Sequence, residues 1–295
     1  MREWKTMDEF LKIDLHMHSN ISDGTDTPEE LLPLIREEGI RIFSVTDHDS
    51  IKSSTIIPAL LTEGDPIFLP GVEFSCRDEE GKYHILGYGF DPNSESMKKI
   101  VEKGHQNRLR KVRARLDFLQ TKFGFRFPEE ELKALFRLDN PGKPHIGNLM
   151  VRLGYAKSKE DAIKNYIDQL RIRSDYLRPE EAIAGILGGG GIPVLAHPAY
   201  GSGDELIVGE ELDLRVRKLT AFGLRGVEAF YSGFTRKLRS QALTLAERYD
   251  LYVTAGSDYH GKNKLVELGD TGLNDPDDVP DGLRRFLERV CPARP

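Results

Sequence analysis

Cysteine is scarce in this chain, and it has no long apolar run. Cys76 and Cys291 are its two cysteines and form no CxxC pair, so neither a disulfide framework nor a thiolate zinc site is indicated. Residues 1–15 mix charged and apolar side chains without the apolar core of a signal peptide, and no run is long enough to span a membrane. We therefore expect a cytoplasmic location and no membrane partner.

Two common catalytic signatures are also missing. The sequence has no GxxxxGK[ST] phosphate loop and no GxSxG nucleophile motif. Its formal net charge of −6 disfavours a protein that coats nucleic acid by bulk electrostatics, but it permits a nucleotide or oligonucleotide in a locally positive cleft. With 295 residues, the chain can form one large α/β domain or a domain with an insertion.

Short apolar runs alternate with helix-like segments in residues 11–95 and again in residues 188–290. The runs predicted to be strands are 11–15, 40–45, 67–69, 83–88, 192–196, 226–230 and 251–255. One helix start is especially clear, with Thr27 as N-cap, Pro28 at N1 and Glu30 at N3. This alternation predicts a parallel α/β arrangement, most simply a barrel.

Residues 96–187 differ in character, because they are rich in charge and helix formers and contain few strand-like runs. We expect a helical insertion of roughly 90 residues, which is the size of a small domain. It contains a strongly basic helical stretch, whose members are Lys98, Lys99, Lys103, Arg108, Arg110, Lys111, Arg113 and Arg115. The glycines at 188–191 are typical of a helix C-cap and turn.

The positions of the eight histidines decide the functional interpretation. Five lie at or just after the end of a predicted strand: His16, His18, His48, His197 and His260. Carboxylates lie close in sequence to four of these, namely Asp23, Asp47 with Asp49, and Asp258. Glu73 follows a fifth predicted strand, 67–69. A lone HxH arises by chance and an Asp-His pair often forms a turn, but motifs at five strand ends indicate an active site at one edge of a barrel.

Five motifs follow one another along the chain. They are Ile13-Asp14-Leu15-His16-Met17-His18-Ser19 with Ser22-Asp23-Gly24-Thr25, then Val45-Thr46-Asp47-His48-Asp49, Pro70-Gly71-Val72-Glu73, Leu195-Ala196-His197-Pro198 and Gly256-Ser257-Asp258-Tyr259-His260. As an ordered set they resemble the PHP (polymerase and histidinol phosphatase) family. The resemblance implies a distorted (β/α)7 barrel over 11–95 and 188–290, a helical cap over 96–187 and a trinuclear metal centre.

The resemblance also implies a set of metal ligands at matching positions. One ion would be held by His16, His18, Glu73 and Asp258, a second by Glu73, His84 and His197, and a third by Asp23, His48 and His260. Imidazole and carboxylate without thiolate suit Mn²⁺, Fe²⁺ or Zn²⁺. Asp47 and Asp49 are interpreted as partners that orient His48.

Within the insertion, Pro144-His145-Ile146, Leu153-Gly154-Tyr155 and Glu181-Ala182-Ile183 resemble the branch that hydrolyses nucleoside 3′,5′-bisphosphates or trims RNA from its 5′ end. Relatives commonly continue Pro-His-Ile with Ala-Arg, where this chain has Gly147-Asn148, so the fine substrate preference is open. Substrate contacts are expected from Lys143, His145, Arg108 and Arg113. His145 has a plainer interpretation as a helix cap, and the two arginines as part of a solvated helix face.

The resemblance implies a phosphoesterase in which a metal-bridging hydroxide attacks phosphorus, with Asp23, His260 or His145 assisting the leaving group. The expected substrate is a nucleoside 3′,5′-bisphosphate or the 5′ end of a short RNA, with no obligate protein partner. A histidinol-phosphate phosphatase and a broader phosphodiesterase use the same centre and stay open. A non-catalytic scaffold module is the alternative of another class.

Overall fold

The computed structural model describes residues 12–201, 205–274 and 279–291. Leu11, the first residue of the first predicted strand, lies outside the described residues. The strands are β1 (Ile13–Met17), β2 (Ile42–Val45), β3 (Ile67–Phe68), β4 (Gly71–Arg77), β5 (Lys82–Tyr88), β6 (Ile192–Leu195), β7 (Gly226–Tyr231) and β8 (Tyr252–Gly256). The helices are α1 (Pro28–Glu37), α2 (Lys52–Ile56), α3 (Glu95–Phe123), α4 (Glu129–Arg137), α5 (Lys143–Arg152), α6 (Lys159–Asn165), α7 (Pro179–Gly188), α8 (Gly209–Ala221), α9 (Arg236–Arg248) and α10 (Asp281–Val290).

The local signals for α1 and α7 are confirmed. The Thr27 side chain accepts a hydrogen bond from the backbone N–H of Glu30, and the Glu30 carboxylate accepts one from the N–H of Thr27, which is the expected capping box. Helix α7 ends at Gly188, and Gly190 adopts a φ of +79° in the turn that follows. Each predicted strand overlaps an observed one, although β1 begins at Ile13 and ends at Met17, so His16 lies inside it.

The strands form two sheets. In the first, β1, β2 and β3 pair in parallel. In the second, the order is β4-β5-β6-β7-β8, and β5 runs antiparallel to both β4 and β6 while the last three strands are parallel. The expectation of a purely parallel arrangement is therefore wrong at β5, because β4 and β5 are joined by a short connection that only a hairpin can close.

Two isolated bridges join the two sheets. Met17 at the end of β1 forms a parallel bridge with Tyr259, which follows β8. His48, which follows β2, forms a parallel bridge with Glu73 on β4. These bridges bring the segments that follow β1, β2 and β8 together with the middle of β4.

The main apolar core lies between the strands and the helices that cover them. It includes Phe74 and Tyr88 from the strands and Ile183 and Ile186 from α7. Helix α7 falls inside the predicted insertion, yet it packs on the sheet rather than with the other helices of that segment. The first turns of α3 do the same through Met97.

A separate apolar core occupies the middle of the predicted insertion. Its buried members come from α3, α4, α5, α6 and the segments between them: Val112, Leu116, Leu119, Phe127, Leu135, Ile146, Leu149, Met150, Ala162 and Ile167. Helix α3 contributes side chains to both cores and so joins this helical unit to the sheet. Among the helices of the described residues, none has the length and apolar character needed to cross a bilayer.

Candidate metal centre

Glu73 lies at the centre of the histidines that the sequence singles out. Its side chain is almost completely buried, at 1% exposure. Oε2 lies 3.4 Å from His16 Nε2, 3.2 Å from His18 Nε2 and 3.1 Å from His48 Nδ1. Oε1 lies 2.9 Å from His84 Nδ1 and 3.3 Å from His197 Nε2. One carboxylate therefore contacts five imidazoles, whose rings come from both sheets.

A second group surrounds Asp23 in the loop after β1. Asp23 Oδ1 lies 3.4 Å from His260 Nε2 and 3.9 Å from His18 Nδ1, and Oδ2 lies 4.0 Å from His48 Nε2. The ligand atoms of these four residues lie close enough together to hold one ion. His48 faces both this group and Glu73.

Asp258 completes the cluster from the end of β8. Its Oδ1 lies 3.5 Å from His16 Nε2 and 3.4 Å from His18 Nε2, and these three residues form another group that could hold an ion. Its Oδ2 accepts a hydrogen bond of 2.9 Å from the Tyr231 hydroxyl and another from Lys264. Oδ1 of Asp258 therefore faces the histidines, whereas Oδ2 is held by Tyr231 and Lys264.

Several buried polar atoms of this cluster have no hydrogen-bond partner among the described residues: His16 Nε2, His18 Nε2, Asp23 Oδ1 and His48 Nδ1. Leaving such atoms unpaired costs about 1–3 kcal/mol each. All four lie among the carboxylates of Glu73, Asp23 and Asp258 and the imidazoles around them. Nitrogen and oxygen donors of this kind suit divalent cations. The residues therefore fit bound metal ions.

Burial and mutual charge set the protonation of the cluster. Burial favours a higher pKa for Glu73, but the imidazoles of His84, His48 and His16 hold it well below its usual value. Burial favours a lower pKa for His18, but the carboxylates of Asp258 and Glu73, 3.4 and 3.2 Å from its Nε2, raise it to about 9. The carboxylates are thus ready ligands, whereas the His18 proton must leave when a metal binds.

Two buried carboxylates hold the cluster in place, and the sequence patterns did not point to their roles. Glu228 in β7 lies 2.9 Å from His16 Nδ1 and accepts a 2.8 Å hydrogen bond from the N–H of His197. Asp14 accepts hydrogen bonds from the N–H and hydroxyl of Ser257 at 3.0 and 2.6 Å. Both carboxylates lie within an apolar strand in the sequence. That position could have indicated their role, because a buried charge needs hydrogen-bond or ionic partners.

Asp47 and Asp49 do not make the contacts expected of them. Asp47 accepts hydrogen bonds from the hydroxyls of Ser19, Ser22 and Ser53, so it shapes the loop that carries Asp23 rather than orienting His48. Asp49 instead pairs with Arg108.

The buried guanidinium of Arg108 donates to Asp49 Oδ2 at 3.1 and 2.9 Å, and Asp49 also accepts from the N–H of Ser75. Arg108 is therefore occupied by a protein carboxylate instead of being free for substrate. Arg113 lies on the exposed side of α3, 5.2 Å from the ring centre of Phe136, and so outside the cleft.

His145 and Lys143 lie at the N-terminus of α5. His145 Nδ1 accepts a 3.0 Å hydrogen bond from the N–H of Gly142, so the capping role is present. This bond places the proton of the neutral ring on Nε2. Burial, with Arg108 nearby, lowers the pKa of His145. Lys143 pairs with Asp168.

Two residues of the cluster and the neighbouring Asp49 have backbone conformations that residues other than glycine rarely adopt. Asp49, His197 and Asp258 have φ values of +51°, +25° and +59°. Such strain is found where surrounding contacts force it, commonly at active sites. Here the N–H of His197 is held by Glu228, and the N–H of Asp258 donates to the His16 carbonyl at 2.7 Å.

A cleft of about 490 Å³ opens over the cluster. Its floor consists of Asp23, His48, Glu73, His84, His197, Asp258 and His260. Its walls come from the helical unit and the loop after β8: Pro144, Lys159, Glu160, Ile163, Lys164, Asn263 and Lys264. Lys159 donates to the Asn263 carbonyl at 2.8 Å and so ties α6 to that loop. The floor of the cleft is therefore rich in carboxylates and imidazoles, and its walls carry three lysines, Lys159, Lys164 and Lys264.

The chain is similar to proteins that are named for the hydrolysis of phosphate esters. No protein-family model matches the chain. A 5′-3′ exoribonuclease of Haemophilus influenzae is 28% identical over 88% of this chain and 93% of its own length. A 3′,5′-nucleoside bisphosphate phosphatase of Chromobacterium violaceum is 27% identical over 91% and 92%. A phosphoribosyl 1,2-cyclic phosphate 1,2-diphosphodiesterase of Eggerthella lenta is 30% identical over 84% and 94%.

The fold has a close counterpart among solved structures. A structure from Bifidobacterium adolescentis described as a metal-dependent phosphoesterase matches with a TM-score of 0.77 and 28% identity, over 94% of this chain and 96% of that one. Fold, cluster and relatives together define a metal-dependent hydrolase of phosphate esters. The chain belongs to the PHP family, as its motifs indicate.

Proposed function

We propose that the cluster binds three divalent ions, of Mn²⁺, Fe²⁺ or Zn²⁺. The first would be held by His16, His18, Glu73 and Asp258, the second by Glu73, His84 and His197, and the third by Asp23, His48 and His260. The orphaned atoms support this assignment, and so do the groups His16-His18-Asp258 and Asp23-His48-His260 with His18. For the second ion the third group contains His48, Glu73 and His84, and His197 is included because its Nε2 lies 3.3 Å from Glu73. His48 is the least fixed ligand in it, since its two nitrogens face Glu73 and Asp23.

We further propose that the two sheets form one distorted (β/α)7 barrel, with 96–187 acting as its cap. The two bridges that join the sheets, one from the end of β1 and one from the segment after β2, support closure of the barrel. The separate core of α3–α6 supports a distinct cap, and the packing of α7 on the sheet places that helix with the barrel instead.

As substrate we propose a nucleoside 3′,5′-bisphosphate or the 5′ end of a short RNA. The observation that carries this is the cleft itself, with donors for metal on its floor and lysines on its walls. Relatives named for these two substrates match nearly the whole chain. Bound ions would supply a water of lowered pKa and neutralise the phosphate oxygens.

The chain's own residues then position the ester. His145 offers Nε2–H as a donor, because its Nδ1 is taken by Gly142. Its lowered pKa makes it a poor source of a proton for the leaving alkoxide, so we assign it to substrate binding. Burial favours a higher pKa for Asp23, but the imidazoles of His48 and His260 hold it well below its usual value, so Asp23 is suited to accept a proton. His260, 3.4 Å from Asp23, stays the candidate for donating one.

The test is a phosphate-release screen with Mn²⁺-loaded protein. It compares nucleoside 3′,5′-bisphosphates, mononucleotides, 5′-phosphorylated short RNA, cyclic phosphodiesters and histidinol phosphate. We expect the highest kcat/KM for the bisphosphate or the RNA. A preference for cyclic diesters would favour the activity named for the Eggerthella lenta relative, and a preference for histidinol phosphate would favour that phosphatase. No release from any ester would revive the scaffold alternative.

A further inference from the structure

The segment that joins α4 to α5 contacts the chain directly after β2. Asn140 in this segment is only 1% exposed. Its side-chain amide donates a hydrogen bond through Nδ2 to the carbonyl oxygen of His48, and its Oδ1 lies 3.4 Å from His105 Nδ1 on α3. Beside it, Asp139 accepts from the Lys52 ammonium at 2.7 Å. A residue of the helical unit therefore holds the backbone of a candidate metal ligand.

The same stretch of chain is also held from α3. Arg108 pairs with Asp49 at 2.9 Å. Gly142 packs on the Arg108 guanidinium, where an added Cβ would lie 3.0 Å from Nη1. Asp49 has a φ of +51°, a conformation that persists only when surrounding contacts stabilise it. His48 and Asp49 therefore lie between α3 and the segment that contains Asn140.

The position of His48 decides which carboxylate its ring faces. Its Nδ1 lies 3.1 Å from Glu73 Oε2, and its Nε2 lies 4.0 Å from Asp23 Oδ2. The hydrogen bond from Asn140 fixes the backbone from which this ring extends. Removal of a residue that holds a ligand in place typically lowers metal affinity roughly 10- to 100-fold. Asn140 can thus act on an ion at His48 without facing that ion.

The segment that holds His48 continues into the wall of the cleft. Pro144 lines the cleft, four residues after Asn140. The segment is stiff, because it contains Pro141 and Pro144, whose rings fix φ. A molecule that contacts Pro144 therefore acts on the same segment that holds His48. Coupling of two binding free energies is reciprocal, so an ion at His48 and a molecule at Pro144 affect each other equally.

We propose that Asn140 is a positioning residue through which the helical unit controls the ion bound by Asp23, His48 and His260. Docking of the helical unit sets His48 for this ion, and a nucleoside in the cleft tightens the ion because it holds the segment in place. The proposal rests on the function proposed above and adds a mutual dependence of metal and substrate binding. It requires no contact between Asn140 and either ligand.

The metal test replaces the amide by an apolar side chain of similar size. Asn140→Leu leaves the buried carbonyl oxygen of His48 without its donor. Metal-free protein is titrated with Mn²⁺ against a competing chelator, and His48→Ala identifies the ion concerned. The dissociation constant of that ion should rise roughly 10-fold in Asn140→Leu, and those of the other ions by less than about 2-fold. Asn107→Leu is the matched control, since Asn107 is a buried amide of α3 that accepts from Arg110.

Two results of this titration would overturn the proposal: unchanged affinity for this ion in folded Asn140→Leu, or an equal loss in Asn107→Leu. Asn140→Ala, which also lacks the donor, serves if leucine prevents folding. If the wild type binds only two ions, the three-ion assignment fails, but a selective loss at the His48 ion still supports the role of Asn140.

Hydrogen exchange on metal-free protein tests the positioning without metal or hydrolysis. The N–H of Asp49 donates to the Glu73 carbonyl at 2.9 Å. Its exchange should become roughly 10-fold faster in Asn140→Leu and stay unchanged in Asn107→Leu. Equal exchange in the wild type and Asn140→Leu would show that Asn140 does not hold this stretch of chain.

The dependence on substrate is measured with the phosphonate analogue of adenosine 5′-monophosphate, whose carbon–phosphorus bond a phosphoesterase does not hydrolyse. Methylphosphonate carries the same acidic group without the nucleoside and so reports direct contact with the ions. In the wild type the nucleoside phosphonate should tighten the His48 ion at least about 5-fold beyond methylphosphonate, and Asn140→Leu should lose this excess. No excess in the wild type, or the same excess in Asn140→Leu, would overturn the coupling.

Discussion

Glu228 is expected to govern metal binding although it touches no metal-facing atom. Its carboxylate lies 2.9 Å from His16 Nδ1 and accepts from the N–H of His197 at 2.8 Å. While Nδ1 carries the proton and donates to Glu228, His16 Nε2 is left with a free lone pair that faces Glu73 and Asp258. Glu228→Gln changes this with almost no change of shape.

The substituted side chain is an amide, with one acceptor and one donor group where the carboxylate had two acceptors. If the amide oxygen keeps the His197 N–H, the NH₂ group donates to His16 Nδ1 and moves the imidazole proton to Nε2, where it blocks a metal. In the other orientation the NH₂ group faces the N–H of His197, so that two donors meet and that hydrogen bond is lost. Either loss is worth about 1.5–3 kcal/mol, and we expect Mn²⁺ affinity to fall roughly 10- to 100-fold.

The assay is titration of metal-free protein with Mn²⁺ against a competing chelator. Asp78→Asn is the matched control, because Asp78 is a buried carboxylate held by Lys218 at 2.8 Å and belongs to no metal-ligand group described above. The control should keep wild-type affinity. Unchanged affinity in a folded Glu228→Gln protein would refute the tautomer argument.

Three further predictions concern other parts of the site. Glu73→Gln should reduce both bound metal and turnover by at least about 100-fold, since one carboxylate contacts five imidazoles, and unchanged activity in a metal analysis and phosphate assay would contradict the shared-ligand assignment. Lys111 has its pKa lowered to about 7 in the folded protein, so between pH 7 and 10.5 the unfolded chain binds more protons and stability rises with pH. Lys111→Met should remove about 1–3 kcal/mol of that rise in urea unfolding, whereas Lys99→Met should not. Gly256→Ala should prevent metal binding, since its Cβ would overlap His16 Cβ and lie 2.8 Å from Glu228 Oε1; normal metal content would exclude this clash.

The sequence predicted which residues of the cluster lie close together better than it predicted the contacts that hold them. His16, His18, Glu73 and Asp258 meet as the motif order indicates, because strand ends bring distant segments to one edge. His84 lies within β5 and has no local motif, so only the resemblance pointed to it. The antiparallel direction of β5 was not predicted either, since alternation of elements does not specify strand direction.

Charged residues were predicted least well, because a basic stretch shows how many cations a helix has but not which face they occupy. On α3, Arg108 is bound by Asp49 and Arg113 is exposed beside Phe136, although both were expected at the substrate. Lys111 and Arg115 are buried instead. Their burial depends on how α3 lies against the β4–β5 ribbon, which is a tertiary property.

Some residues of the five sequence motifs do not face the proposed metal ions, and their contacts explain why the five motifs together are more informative than any one of them. Asp14 of the first motif binds Ser257 of the last, 243 residues away. Asp47 of the second motif binds Ser19 and Ser22 of the first, and so fixes the loop that carries Asp23. Each motif therefore supplies hydrogen-bond partners that position the ligands of another, and a chance HxH lacks them. A cluster built in this way fails as a unit, because removal of one buried partner leaves the others unsatisfied.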